Sequence, residues 1–172
     1  MDEYVRLAKD TIETYLKTGK VISPPDNLPK EMLANRAGVF VSIHQKDDSL
    51  RGCTGTFLPT KENLAQEIIA NALASATQDP RFPPVTSAEL PSLVYSVDIL
   101  SKPRPAIRKE LDPKRYGLII STKDGRRGLL LPDIPGVETS EQQLEICCHK
   151  AGIAPDEEIK LESFTVERYG EK

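Results

Sequence analysis

Val5, Ala8, Ile12, Tyr15 and Leu16 recur at helical spacing, and Gly19 follows them, which predicts a helix from Asp2 to Thr18. A proline-punctuated stretch, Ser23-Pro24-Pro25-Asp26-Asn27-Leu28-Pro29, comes next. Each proline fixes its own φ and restricts the residue before it, so this segment is expected to be extended, with a short helical turn before Asn35. From Gly38 the period changes. Val39, Phe40, Val41 and Ile43 read as a buried strand, Gln45 to Ser49 as a turn, and Leu50 to Phe57 as the returning arm of a hairpin. Thr60 is the expected cap of a long helix with Leu64, Ala65, Ile68, Ile69, Ala72, Leu73 and Ala76 on one stripe. Asp79-Pro80 ends it, the loop Arg81-Phe82-Pro83-Pro84 follows, and Leu93 to Leu100 alternates as a third strand.

After the connector Lys102-Pro103-Arg104-Pro105 the order repeats. Gly117 to Ser121 is a strand, Lys123-Asp124-Gly125-Arg126 a tight turn, and Gly128-Leu129-Leu130-Leu131 the return. Ser140 with Gln143 makes a capping-box pattern for a helix that Gly152 terminates, and Ile159 to Val166 is the last predicted strand. Local matches support a repeat: Gly38-Val39-Phe40-Val41-Ser42 corresponds to Gly117-Leu118-Ile119-Ile120-Ser121, and Arg51-Gly52-Cys53 to Arg127-Gly128-Leu129. The expected fold is therefore α+β. A leading helix precedes two related strand–strand–helix–strand halves, approximately 37–101 and 116–168. They are expected to share mostly antiparallel sheet and one core within a single domain spanning 1–172.

Composition narrows the classes without naming a chemistry. The chain has 172 residues, 38% hydrophobic and 28% charged, and a formal net charge of −3. No apolar run approaches the roughly 20 residues of a membrane span, and the N-terminus lacks the basic and apolar regions of a signal peptide. Three cysteines without such a signal argue for a reducing cytoplasm rather than a disulfide framework. Net acidity and nine aromatic residues count against a nucleic-acid or translation-related binder.

Leu50-Arg51-Gly52-Cys53-Thr54-Gly55-Thr56-Phe57 is the segment hardest to explain by folding alone. Two glycines inside a strand suggest a bulge, a bend or a close backbone approach. In a regular strand Arg51 and Cys53 share a face, and a guanidinium near the sulfur favours thiolate. Arg51, Arg81 and Arg127 are candidate ligands for a small carboxylate or phosphate, with Gly52 and Gly55 lining the site and Cys53 as nucleophile or acid. The bland reading makes Cys53 a small buried hydrophobe and pairs each arginine with a surface acid. Cys147-Cys148-His149 is read as helix packing, because consecutive helical residues fan around the axis, and His44 as a polar edge residue. No zinc, P-loop, GxSxG or GxGxxG pattern is present, so no metal or cofactor is expected. The basic stretch from Lys102 to Arg115 reads as a solvated connector.

The run Leu50-Arg51-Gly52-Cys53-Thr54-Gly55 resembles the LRGCIG hallmark of the AMMECR-one domain family. Asp79-Pro80-Arg81-Phe82-Pro83-Pro84-Val85, Gly128-Leu129-Leu130-Leu131-Pro132 and Cys148-His149-Lys150-Ala151-Gly152 are similar to further family segments, from about Val5 to Val166. The sequence departs from the pattern at Thr54, where the family usually has Ile, at Asp133, where Gln is common, and in having no Trp. The resemblance implies a duplicated α+β fold and a place beside a Memo-like protein and a radical-SAM enzyme. It supplies no reaction. Two functional expectations stand: a cytoplasmic accessory or ligand-binding protein, and an enzyme using Cys53 on a small anionic substrate oriented by Arg51.

Overall fold

The computed structural model describes residues 1–171. The chain forms two compact units, one of Met1–Leu100 with the C-terminal stretch from Glu167, the other of Ser101–Val166. Among the described residues no helix is long and apolar enough to cross a membrane.

In the first unit α1 (Glu3–Thr18) is capped by Asp2, whose carboxylate accepts from Tyr4 N at 3.0 Å, and stops at Gly19 with φ +72°. A short α2 (Lys30–Ala34) precedes the hairpin β1 (Gly38–Gln45) and β2 (Leu50–Thr56). Helix α3 (Leu64–Thr77) and strand β3 (Leu93–Leu100) follow, and β8 (Val166–Gly170) completes a sheet ordered β2-β1-β3-β8. Val39, Val41 and Ile43 of β1 with Tyr95 and Val97 of β3 face α1 and α3, burying Val5, Ala8, Ile12, Ile68 and Ala72 between helices and sheet. Helix α3 begins four residues beyond Thr60, and its cap is Asn63. Thr60 is drawn elsewhere: the buried carboxylate of Glu67 accepts from Thr60 N (2.7 Å), Thr60 Oγ1 (2.9 Å), Lys61 N (2.7 Å) and Thr56 Oγ1 (2.6 Å). That carboxylate gathers the loop's donors before the helix can start.

In the second unit the sheet order is β4-β7-β5-β6, built from β4 (Arg104–Pro105), β5 (Gly117–Ser121), β6 (Arg127–Leu130) and β7 (Lys160–Phe164). Helix α4 (Ser140–Ala151) lies on β5 and β6 and ends at Gly152 in the left-handed region. Its capping box is Thr139 with Gln142, one residue earlier than the sequence suggested. Gln143 is instead buried and donates to Tyr116 O at 2.9 Å.

The α+β class and the antiparallel hairpins are present, but the expected single shared sheet and core are not. The described residues form two sheets and two apolar clusters, the smaller made of Leu118, Ile120, Cys147 and Ile153. Each hairpin with its own helix and return strand already covers one sheet face, so each buries its apolar side locally. The predicted strand Ile159–Val166 is also divided. Thr165 leaves the ladder to exchange hydrogen bonds with Ser101 (2.8 and 2.9 Å), so β7 joins one sheet and β8 the other.

Candidate functional site

The geometry around Leu50-Arg51-Gly52-Cys53-Thr54-Gly55 begins with its glycines. A Cβ at Gly52 would overlap the carbonyl oxygen of Ser75 on α3, and one at Gly55 would overlap the Phe40 ring and Val39 carbonyl. The absence of side chains lets helix and neighbouring strand close on β2. Thr54 N donates to Ser75 Oγ at 2.8 Å, fixing the same contact. Both glycines therefore serve packing.

Cys53 stands on the sheet face away from the core. Across the ladder it pairs with Ser42, which pairs with Ser96; one step along, Gly55, Phe40 and Asp98 form the next row. Ser42 Oγ donates to Cys53 Sγ at 3.2 Å. Asp98 is buried and accepts two hydrogen bonds from Arg168 of β8, at 2.7 and 2.8 Å. Cross-strand partners share a face, so this side of the sheet carries a thiol, two hydroxyls and a carboxylate–guanidinium pair.

The loop after α3 closes over one end of this face. The buried carboxylate of Asp79 accepts from Cys53 N (2.9 Å), Arg81 N (3.0 Å), Arg81 Nε (3.0 Å) and Arg81 Nη2 (2.8 Å), while Arg81 Nη2 also reaches Cys53 O at 3.3 Å. Led by the Arg81 hydrogen bonds, these donors hold the Asp79 carboxyl far below the usual carboxylate range. Arg81 is 55% exposed, and its Nη1 has no hydrogen-bond partner among the described residues.

Arg51 is built in more tightly. Its side chain is 13% exposed; Nε and Nη2 grip Glu89 at 2.7 and 3.2 Å, and Nη1 and Nη2 reach the carbonyls of Pro83 (3.0 Å) and Pro84 (3.4 Å). Arg51 and the Thr86 donors bring the Glu89 carboxyl down to about 2. The Phe82 ring lies 6.0 Å from the Arg51 guanidinium and 5.6 Å from that of Arg81. Four of the five N–H groups an arginine offers are thus engaged in fastening the loop.

Burial pushes the Cys53 thiol up; the Ser42 hydrogen bond and Arg81 oppose it, and Asp98 and Asp79 add to it. The expectation that Arg51 would ionise Cys53 is corrected: the cation acting on the sulfur is Arg81, and desolvation outweighs it. Arg127 lies in the second unit, exposed at the start of β6 opposite Ser121, so the grouping with Cys53 in the first unit consists of Arg51 and Arg81. Cys147 is buried with its thiol pushed up to about 12, Cys148 is half-buried, and His149 is exposed. No group of three His, Cys, Asp or Glu side chains among the described residues is placed to hold a metal ion.

A family model described as AMMECR1 matches residues 5–172. The chain belongs to the AMMECR1 family. A protein of Thermotoga maritima is 56% identical over 168 residues, covering 96% of each chain. The Clostridium acetobutylicum protein CA_C1420 is 46% identical over 171 residues, 99% of this chain but 36% of its own length. The crystal structure of the uncharacterized protein PH0010 from Pyrococcus horikoshii is similar at a TM-score of 0.89 and 37% identity, covering 98% of this chain and 90% of that one.

Within this AMMECR1 chain, sequence reasoning found Arg51, Cys53 and Arg81 but missed Ser42, Asp79, Glu89, Asp98 and Arg168. Two signals were available. Ser96 and Asp98 are polar at alternating positions of an otherwise apolar strand, which marks a second, polar face. Asp79 opens the Pro-flanked run that carries Arg81. Arg168 had no signal, because β8 itself was not predicted.

Proposed function

We propose that this AMMECR1 protein is a cytoplasmic accessory or ligand-binding protein. In this reading it presents the Cys53 face to a small anionic ligand and acts with Memo-like and radical-SAM partners. The observation that carries the binding part is the state of Cys53. Its thiol is raised by burial and receives a hydrogen bond from Ser42, which suits a fixed recognition surface better than a nucleophile. Arg81, with Nη1 turned to no protein acceptor among the described residues, is the group that would meet an anion, beside the fixed Asp79. For the partner part, the matching stretch makes up 36% of a longer Clostridium acetobutylicum polypeptide, so in that relative the domain is joined to further chain.

Two experiments test this. Calorimetric titration with inorganic phosphate and with citrate is expected to show binding that Arg81→Ala abolishes; equal affinity in both proteins sinks the anion site. Co-purification with the Memo-like and radical-SAM proteins at micromolar concentration tests the partner assignment, and no complex counts against it.

One observation favours a second reading. A thiol that keeps its proton at neutral pH and is still partly exposed has the property required of a general acid. In that reading Cys53 protonates a leaving group on a small anionic substrate oriented by Arg81. A turnover assay would need to fall with Cys53→Ser for it to stand.

A further inference from the structure

The second unit carries a groove that its own side chains leave open. Helix α4 buries Gln143 and Cys147 on its sheet, while Leu144 and Cys148, one position further on and about 100° around the axis, pack at the edge of the same apolar cluster and stay half-buried. With Ile153, Pro155 and Ile159 they line a groove of about 680 Å³. The cluster beneath it is small, with Leu118, Ile120 and Cys147 fully buried, and a unit this small is marginal without further burial. The rim on α4 is acidic. Glu141 and Glu145 stand one helical turn apart and exposed, where like charges repel, and Glu145 makes no ion pair among the described residues.

The complementary chemistry adjoins it. Ile107 is 57% exposed and leads directly into the one-turn 3-10 helix Arg108–Glu110, and Arg108 itself lines the groove. Neither Arg108 nor Lys109 has an ion-pair partner among the described residues. An exposed aliphatic knob with basic neighbours thus sits beside an apolar groove with an acidic rim. We propose that this surface binds a second copy of the chain: Ile107 of each copy enters the other's groove, and Arg108 and Lys109 lie against Glu141 and Glu145. Because knob and groove share one surface, a single twofold axis satisfies both contacts at once. The contact is small beside the roughly 1,200 Å² of a stable interface, so the dimer is weak, with Kd on the order of 100 μM, and salt-sensitive.

Sedimentation velocity on the full chain, from about 10 μM to about 1 mM at low and high salt, reads this directly. The expected result is a monomer–dimer equilibrium that Ile107→Asp weakens about tenfold or more. Lys109→Glu and Glu145→Lys should each weaken it at low salt, and mixing the two variants should restore association, which a misfolded variant would not do. A chain that stays monomeric at about 1 mM overturns the proposal and leaves the groove to another occupant, such as a basic helix of a different protein or an aliphatic ligand. So does a dimer indifferent to Ile107→Asp, or a mixture that fails to associate.

Discussion

Gly52 and Gly128 offer a measurement of how the hairpins are held. A Cβ at Gly52 would overlap the Ser75 carbonyl oxygen on α3, and one at Gly128 would overlap the Cys147 carbonyl oxygen on α4. Neither glycine has a positive φ, so alanine is allowed by the backbone and the whole penalty is steric. Helix and strand must separate locally, an overpacking distortion costing about 1–3 kcal/mol. Against this, alanine restricts the unfolded chain and returns about 0.4–1 kcal/mol. The net expectation for Gly52→Ala and for Gly128→Ala is therefore destabilisation centred on about 1.3 kcal/mol each, with about 2.6 kcal/mol as the upper end. Gly170→Ala is the control, since nothing lies within 4 Å of its Cβ position, and it should be neutral or slightly stabilising. Urea denaturation followed by circular dichroism gives the magnitudes, and hydrogen exchange resolved by peptide assigns each loss to its own unit. If both variants matched the wild type within about 0.5 kcal/mol, the close-approach account of these glycines would be wrong.

Four further outcomes follow from the same geometry. Glu67→Gln replaces a buried carboxylate that accepts four hydrogen bonds, and should cost about 2–4 kcal/mol in the same denaturation assay. The folded-state pKa values of Glu67, Asp79 and Glu89 are all depressed, so their stabilisation is complete above the unfolded value of about 4.3 or lower and is lost as pH falls, for Glu89 through about 2. Acid unfolding of Glu67→Gln should accordingly show a shallower pH dependence than wild type. Thiol labelling of Cys53 should be slow at pH 7 and rise only above its ordinary range near 8.5, and Arg81→Ala should shift that profile to higher pH; fast labelling at pH 7 would refute the protonated thiol. Arg51→Lys keeps the charge but loses the fork on Glu89, and should raise hydrogen exchange across 79–89 while leaving phosphate binding unchanged.

Much of the architecture was readable because its signals are local. Apolar periodicity placed α1, the two hairpins, α3, α4 and β3 within a few residues, and Gly19 and Gly152 marked their helix ends through left-handed backbone. The errors came where a non-local partner captured a local signal. Thr60 looked like a cap until Glu67 claimed both its donors, and the Ser140–Gln143 pattern lost Gln143 to the Tyr116 carbonyl. Strand β4 was hidden by its proline, which an edge strand tolerates, and β8 by the lack of any break between it and β7. Pairing of Arg51 with Glu89 joins residues 38 apart in the chain, and no spacing rule reaches that far.

Comparing the two units separates folding from chemistry in the Arg51-Gly52-Cys53 run. Both sheets place the hairpin's first strand at the centre, β2-β1-β3 and β6-β5-β7, and in both a glycine of the second strand lies under a helix carbonyl. The helix residue supplying that carbonyl is small and carries a hydrogen-bond donor each time: Ser75 bonds the Val41 carbonyl at 2.7 Å, and the Cys147 thiol the Leu118 carbonyl at 3.8 Å. Glycine is thus the part of the run that both units need in order to pack. The residue after it is Cys53 in one unit and Leu129 in the other, and Leu129 faces Ile119 across the ladder where Cys53 faces Ser42. Packing alone is satisfied by an apolar pair at this position. The thiol with its hydroxyl donor, and the buried Asp79 that takes the Cys53 amide and orients Arg81, exceed what the hairpin requires. That surplus of polar groups, which costs desolvation wherever it is buried, is the physical reason to look for function on the Cys53 face and not along the whole motif.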